Sequence, residues 1–258
     1  MTTPPANPAS YAKRFQAPED VSAYETKEYG AGSYSSRVWQ WQRPVVEQII
    51  RDFRKAQAGP VRLLDFACGT GRVLAVLEPL VDGAVGVDIS EGMAAVARTK
   101  CRSAQVRVGD ILTQPAILGQ DAFEVISCFR FVLNAEPKLR LQVLRQLRAV
   151  LRQPQGVLLV NVHGNAHSLR HPAIAWKRRG KRTPGPEEML NEMTPGEVEA
   201  LLSAAGFTIA RRFGFGIMPP TFYRTPLRGL AERVDRSLAG ENGWWRQSID
   251  LLYVCRGK

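Results

Sequence analysis

No apolar run in this 258-residue sequence approaches the ~18–20 residues that a membrane-crossing helix needs; the strongly apolar runs, such as residues 157–160, are strand-sized. The first residues, MTTPPANPASYAKRF, lack a hydrophobic signal core. Cysteine is scarce: Cys68, Cys101, Cys128 and Cys255 stand far apart with no CxxC pair. That leaves little basis for a zinc site or a disulfide frame, and it suits a reducing cytosol, so a cytoplasmic protein is expected. Residues 138–152 and 166–186 are basic and contain no acid. The first stretch carries Lys138, Arg140, Arg145, Arg148 and Arg152, and the second carries Arg170, Lys177, Arg178, Arg179, Lys181 and Arg182. Together they account for the whole excess of 35 basic over 24 acidic residues, a net charge of +11. Such an excess attracts nucleic acid, a membrane face or an anionic metabolite without choosing among them. With 45% apolar and 23% charged residues, fibrous and wholly disordered classes are excluded, and one generous domain or two small ones is expected.

Residues 1–20, rich in Pro, Ala and Ser, read as a loose arm. Tyr24, Tyr29, Tyr34, Trp39 and Trp41 follow within eighteen residues. Pro44 stands where a helix can begin, and Val46, Ile49, Ile50 and Phe53 make an amphipathic stripe. Strands are then expected at 61–66, 84–87, 105–108, 123–128 and 157–162. Helices are expected at 72–80, from Ser90, and at 138–152. This alternation implies a mostly parallel sheet covered on both faces. Thr194-Pro195-Gly196-Glu197 reads as a capping box before another helix. Strands at 207–212 and 251–254 close the chain, with a helix near 227–238 between them.

A third glycine is missing where a dinucleotide fold would have it. The strand ending in Asp65-Phe66 runs into Ala67-Cys68-Gly69-Thr70-Gly71-Arg72, but position 74 is Leu74 rather than glycine, and no Gly-Lys-Ser/Thr follows. Nicotinamide, flavin and P-loop readings therefore fail. Small residues at such a turn let the backbone approach a ligand. Asp88 closes the next strand, where a carboxylate accepts both ribose hydroxyls of a nucleoside, and Asp110 is a second acid on the same edge.

The series DFACGTGR, VGVDISEGM, VGDI, FEVISCF, GVLLVNV and TPGEVEALLSAAGF resembles the class I S-adenosylmethionine-dependent methyltransferases over roughly residues 43–212, with LLYVC extending the likeness to the C-terminus. The resemblance implies an α/β, Rossmann-like, seven-stranded sheet whose last strand is antiparallel. It implies an N-terminal arm or lid over residues 1–42 and one methyltransferase domain over 43–258, with insertions at 164–190 and 213–248 roofing the site. It places the cofactor's methionyl end over Ala67, Cys68, Gly69 and Gly71, its ribose on Asp88, and its adenine between Ile89 and the Asp110-Ile111 pair. Met93 adds apolar surface for the purine, and Asp65 and Cys128 complete the cofactor side. Ala67 departs from the glycine more common in the family, a mild variant.

Methyl transfer from a sulfonium is an in-line displacement, so alignment and exclusion of water matter most. The Asn/Asp-Pro-Pro-aromatic motif of adenine and glutamine methylation is absent, and so is the Pro-Cys nucleophile of cytosine methylation. His163, just beyond the fifth strand, is the candidate general base; a histidine satisfying backbone groups at a strand end is the plainer alternative. His163, His167 and His171 recur every four residues, but Gly164 and Pro172 break the helix that metal ligation at that spacing requires, so no metal is expected. Tyr24, Tyr34, Phe129, Arg130 and His163 form the candidate substrate side, with Arg130 suited to an anionic substrate. Arg37 and Arg43 are candidates for the cofactor carboxylate. The expected activity is methyl transfer to oxygen or nitrogen of a small metabolite in a secondary-metabolite or surface-glycan pathway. A nucleic-acid methyltransferase and a non-catalytic cofactor-binding protein stand as alternatives. Nucleic acid is not favoured, because 138–152 reads as a solvated helix face and 176–182 has no aromatic interleaving beyond Trp176.

Overall fold

The computed structural model describes residues 21–22, 24–30, 32–119, 122–171 and 192–258. Seven strands form one sheet: β1 (Arg62–Phe66), β2 (Gly83–Asp88), β3 (Gln105–Val108), β4 (Val125–Phe129), β5 (Val157–Val162), β6 (Phe207–Phe215) and β7 (Asp250–Gly257). Their order is β3-β2-β1-β4-β5-β7-β6. Neighbouring strands from β3 to β5 are parallel, and β7 lies antiparallel between β5 and β6. The order reverses between β1 and β4, so the strand ends there open a crevice at the carboxyl edge.

Among the described residues six α-helices accompany the sheet: α1 (Tyr34–Ala56), α2 (Leu74–Leu77), α3 (Glu91–Lys100), α4 (Pro137–Val150), α5 (Pro195–Ala204) and α6 (Arg228–Ser237). The strands alternate faces as the pleat dictates. Leu63 is buried in one cluster with Ile50 and Phe53 of α1 and Leu74 of α2. Its neighbour Leu64 is buried in the opposite cluster, with Leu144 and Leu147 of α4 and Leu202 of α5. Ser90 caps α3 by accepting the Met93 amide at 3.2 Å, and Thr194 and Glu197 complete the capping box of α5.

Three boundaries differ from the sequence reading. Helix α1 begins at Tyr34, capped by Ser33, which accepts the Ser36 amide at 3.1 Å. Pro44 therefore lies inside the helix, and the expected break at residue 42/43 falls within one continuous element. An interior proline costs about 3 kcal/mol; the first turns are held by burial of Val38 and Gln42 and by the Trp39–Phe129 ring contact. The helix expected at 72–80 is only α2 continued by a 3₁₀ turn at Glu78–Leu80. Strand β6 runs on to Phe215, with Phe213 and Phe215 buried, so the first residues of the expected 213–248 insertion belong to the sheet. The 1–20 arm and most of the 164–190 insertion, with the basic run 176–182, fall outside the described residues.

Candidate active site

Beyond β1 the chain makes three left-handed steps, at Ala67 (φ 53°), Gly69 (φ 55°) and Gly71 (φ 76°). At Gly71 a side chain is doubly excluded, since a Cβ would lie 2.9 Å from the Ala97 Cα of α3. Asp88, at the tip of β2, joins the two loops: its oxygens accept the Gly69 amide at 2.7 Å and the Ser90 amide at 2.9 Å. Both bonds favour its anion, while burial raises its pKa. Asp65 is buried more deeply and accepts the Ser127 hydroxyl at 2.6 Å. Burial pushes its carboxyl up to about 7, against the Ser127 hydrogen bond and the Arg72 charge.

Beside this loop a cleft is lined by Ala67, Asp88, Ile89, Asp110, Ile111 and Phe131, among others. Apolar faces with carboxylates at one end suit a nucleoside: the purine stacks on aliphatic side chains and the ribose meets the acid. Several expected residues stand in other positions. Met93 is buried in α3, outside the cleft lining named for the purine. Cys128 is wholly buried, paired in the sheet with Phe66. Cys68 is buried, and burial raises its thiol pKa far out of the nucleophilic range.

The aromatic segment folds over the loop. Residues Tyr24–Glu28 form one π-helical turn. Its Glu25 accepts hydrogen bonds from the Thr70 hydroxyl and, at 2.6 Å, from Lys100 Nζ. Burial acts to raise the Glu25 pKa, but these two bonds outweigh it and hold the carboxyl below its usual range. Tyr24 and Tyr29 pack with ring centroids 5.2 Å apart. Arg130, itself in a left-handed step (φ 58°) at the end of β4, donates to Tyr29 Oη at 2.8 Å and Ser35 Oγ at 3.1 Å, and lies 3.5 Å from Glu28. Its guanidinium thus fastens the arm. Phe129 packs edge-on against Trp39, and Tyr34 against Tyr223.

Three residues at this edge escaped the sequence reading. Arg72 sits between the rings of Tyr29 and Trp39, 4.1 and 4.4 Å from their centroids, and its buried Nε and Nη1 have no hydrogen-bond partner among the described residues. Arg37 and Arg43, the arginines suggested for that task, are engaged elsewhere, over Tyr223 and with Glu47. Glu25 is the second, and Asp250, at the start of β7, is the third. Asp250 accepts Gln42 Nε2 at 3.0 Å and Asn161 Nδ2 at 2.8 Å. The only local signal was the position of Arg72 directly after the glycine turn. His163 is half-buried just past β5. The β5–β7 register pairs Val162 with Leu251, so His163 emerges beside Asp250. His167 is exposed, and His171 lies 3.6 Å from Glu192.

Three of the four arginines of 138–152 serve the fold. Arg140 is buried and donates to the Ala135 carbonyl at 2.8 Å, Arg148 donates to that of Gly206 at 3.0 Å, and Arg152 pairs with the buried Glu124. Among the described residues, no helix is long and apolar enough to cross a membrane.

Residues 38–211 match the family model described as a methyltransferase domain. No curated protein matches the chain. Among solved structures, the chain is similar to the plantazolicin methyltransferase BamL in complex with a triazolic desmethylPZN analog and SAH, at 16% identity and TM-score 0.59, covering 96% of this chain and 94% of that one. It is similar to the putative methyltransferase complexed with the Trm112 activator of Haloferax volcanii, at 17% identity and TM-score 0.59, covering 94% and 97%. It is also similar to magnesium protoporphyrin IX methyltransferase of Synechocystis PCC 6803 with bound SAH, at 14% identity and TM-score 0.58, covering 90% and 92%. With the family model spanning well over half of the chain, the chain belongs to the methyltransferase-domain family and is a class I S-adenosylmethionine-dependent methyltransferase.

Proposed function

We propose that the protein methylates an oxygen or nitrogen of a small metabolite, in a secondary-metabolite or surface-glycan pathway of the cytoplasm. The observation that carries this reading is the roof over the strand ends. Residues 24–29 are tied to the glycine loop through Glu25 and to β4 through Arg130, and a cover held in this way favours a small acceptor over a polymer. Two of the similar structures, the plantazolicin and magnesium protoporphyrin IX enzymes, are named for non-polymeric substrates. A nucleic-acid acceptor draws support from the net charge of +11, but Arg140, Arg148 and Arg152 are already engaged within the fold.

When bound, S-adenosylmethionine supplies an electrophilic methyl group. Asp88 would hold its ribose, and Ile89, Asp110 and Ile111 its adenine, with Ala67, Gly69 and Gly71 beneath the methionyl chain. Arg72 would take the methionyl carboxylate, because a guanidinium fixed between two rings with unused donors is pre-oriented for an anion. Arg72→Gln is then expected to weaken S-adenosylhomocysteine binding about tenfold or more while leaving 5′-methylthioadenosine, which lacks the amino-acid end, unchanged. Calorimetry showing equal losses for both ligands would remove Arg72 from this role.

The acceptor class is tested by following labelled methyl from S-adenosylmethionine into host extract separated into nucleic-acid, protein and small-molecule pools. Label in the small-molecule pool supports the proposal. Nuclease-sensitive label in the polymer pool overturns it.

A further inference from the structure

Asp250 is a buried carboxylate on the catalytic edge with half of its bonding capacity unused. Both of its hydrogen bonds, from Gln42 of α1 and Asn161 of β5, go to Oδ1, and Oδ2 accepts none among the described residues. Because β7 runs antiparallel to β5, its first residue lies at the carboxyl edge of the parallel strands. It sits at the first position of β7, where β5 ends and His163 emerges, and the Arg130 and Arg72 charges act on it from β4 and the glycine loop.

A second buried acid nearby shows what a purely structural carboxylate looks like in this fold. Asp235 of α6 accepts the Ile217 amide at 2.7 Å and the Met218 amide at 2.9 Å on one oxygen, and the Tyr223 hydroxyl on the other. Both of its oxygens are engaged; in Asp250 only one is.

An independent observation marks the same place. The Tyr34 hydroxyl is buried and has no hydrogen-bond partner among the described residues. It presses against Gly216, where a Cβ would lie 2.2 Å from it. The Gly216 carbonyl accepts the Ile249 amide at 2.7 Å, one residue before Asp250. Two elements distant in sequence thus bring an unused acceptor and an unpartnered hydroxyl to one region, beneath the arm. A buried hydroxyl left unmet in such a place is costly unless a ligand satisfies it.

We propose that Asp250 is the acceptor-binding acid of this enzyme, taking through Oδ2 the hydrogen of an N–H or O–H nucleophile, with the Tyr34 hydroxyl as a second contact. The substrate class is accordingly an amine, amide or alcohol rather than a carboxylate presented for esterification. In the transfer step the nucleophile's lone pair forms the new bond to the methyl carbon. The carbon–sulfur bond breaks with its electron pair left on sulfur, and the nucleophile's proton passes to Asp250, which becomes a neutral acid. Charge balances, because the sulfonium and the carboxylate are neutralised together. The inference rests on the small-molecule reading above.

Asp250→Asn tests it, because an asparagine keeps the oxygen that accepts Gln42 and Asn161 and changes only the free oxygen, into a donor. The probes are benzylamine, phenol and benzoate, measured by ligand-observed NMR on full-length protein saturated with S-adenosylhomocysteine. Wild type is expected to bind benzylamine or phenol in preference to benzoate. Asp250→Asn should weaken that binding about tenfold or more, and Tyr34→Phe by a smaller factor. S-adenosylhomocysteine affinity should stay at the wild-type value in Asp250→Asn, which a merely structural role for the residue would not predict. Binding of the donor probes that is indifferent to Asp250→Asn, absent from wild type, or weaker than that of benzoate overturns the inference while cofactor binding and the small-molecule reading stand. Nuclease-sensitive label in the extract experiment overturns that reading instead.

Discussion

Asp88→Ala is expected to weaken S-adenosylhomocysteine binding about 10- to 150-fold, roughly 1.5–3 kcal/mol, and to weaken 5′-methylthioadenosine by the same factor. Both ligands carry the ribose, so the loss is common to them, in contrast to the selective loss expected for Arg72→Gln. The upper end of the range is favoured because Asp88 does two things at once. It is the acid at the nucleoside cleft, and it is the acceptor that ties the Gly69 amide to the Ser90 amide. Alanine removes the ribose contact and also leaves two loop amides without their partner. Asp88→Asn keeps one carbonyl oxygen for a loop amide and should fall between the two. Calorimetric affinities within twofold of wild type for Asp88→Ala would take the ribose off this residue.

Asp65→Asn is expected to stabilise the cofactor-free protein at pH 8, by up to roughly 4 kcal/mol, and to have little effect near pH 4. Burial raises the Asp65 carboxyl to about 7, with Asp88 adding to the shift, while the Ser127 hydroxyl, Arg72 and the Leu74 amide resist it. Between the ordinary carboxylate range and about pH 7 the folded protein therefore holds a proton that the unfolded chain gives up. Unfolding releases that proton, so this residue's contribution to stability falls as pH rises through the interval and is flat above it. Asparagine is neutral throughout, and its oxygen can still accept the Ser127 hydroxyl. The difference between variant and wild type isolates Asp65 from the other shifted acids. Denaturant melts at pH 4, 6 and 8 provide the measurement. A difference in stability that does not grow with pH would mean that Asp65 is ionised in the folded protein without penalty.

Much of the fold was legible because it is local. The β3 and β5 runs, 105–108 and 157–162, appear at their expected bounds, and β1 within a residue of its own, since a short apolar run between turn residues has few other ways to be buried. The Thr194–Glu197 capping box formed as written, because both partners lie within one turn. The glycine turn was legible for the same reason, the left-handed steps being needed within five residues of chain.

The misread boundaries came from competition between local and distant terms. Pro44 is a valid start signal for a helix, but Ser33 is a better cap, and Val38, Trp39 and Gln42 gain burial only if the helix begins earlier. Arg140, Arg148 and Arg152 looked like part of a free charged face because their partners, Glu124 and the carbonyls of Ala135 and Gly206, cannot be read from helical periodicity.

The sequence by itself determined the sheet class, the glycine turn and the acids at the strand ends, because those depend on patterns a few residues long. Tertiary structure alone decided which side chains share the active edge. Glu25 meets Thr70 across 45 residues, and Gln42 meets Asp250 across 208. Neither pair has a local signature, because each exists only where the sheet order brings strand ends, loop and arm to one place.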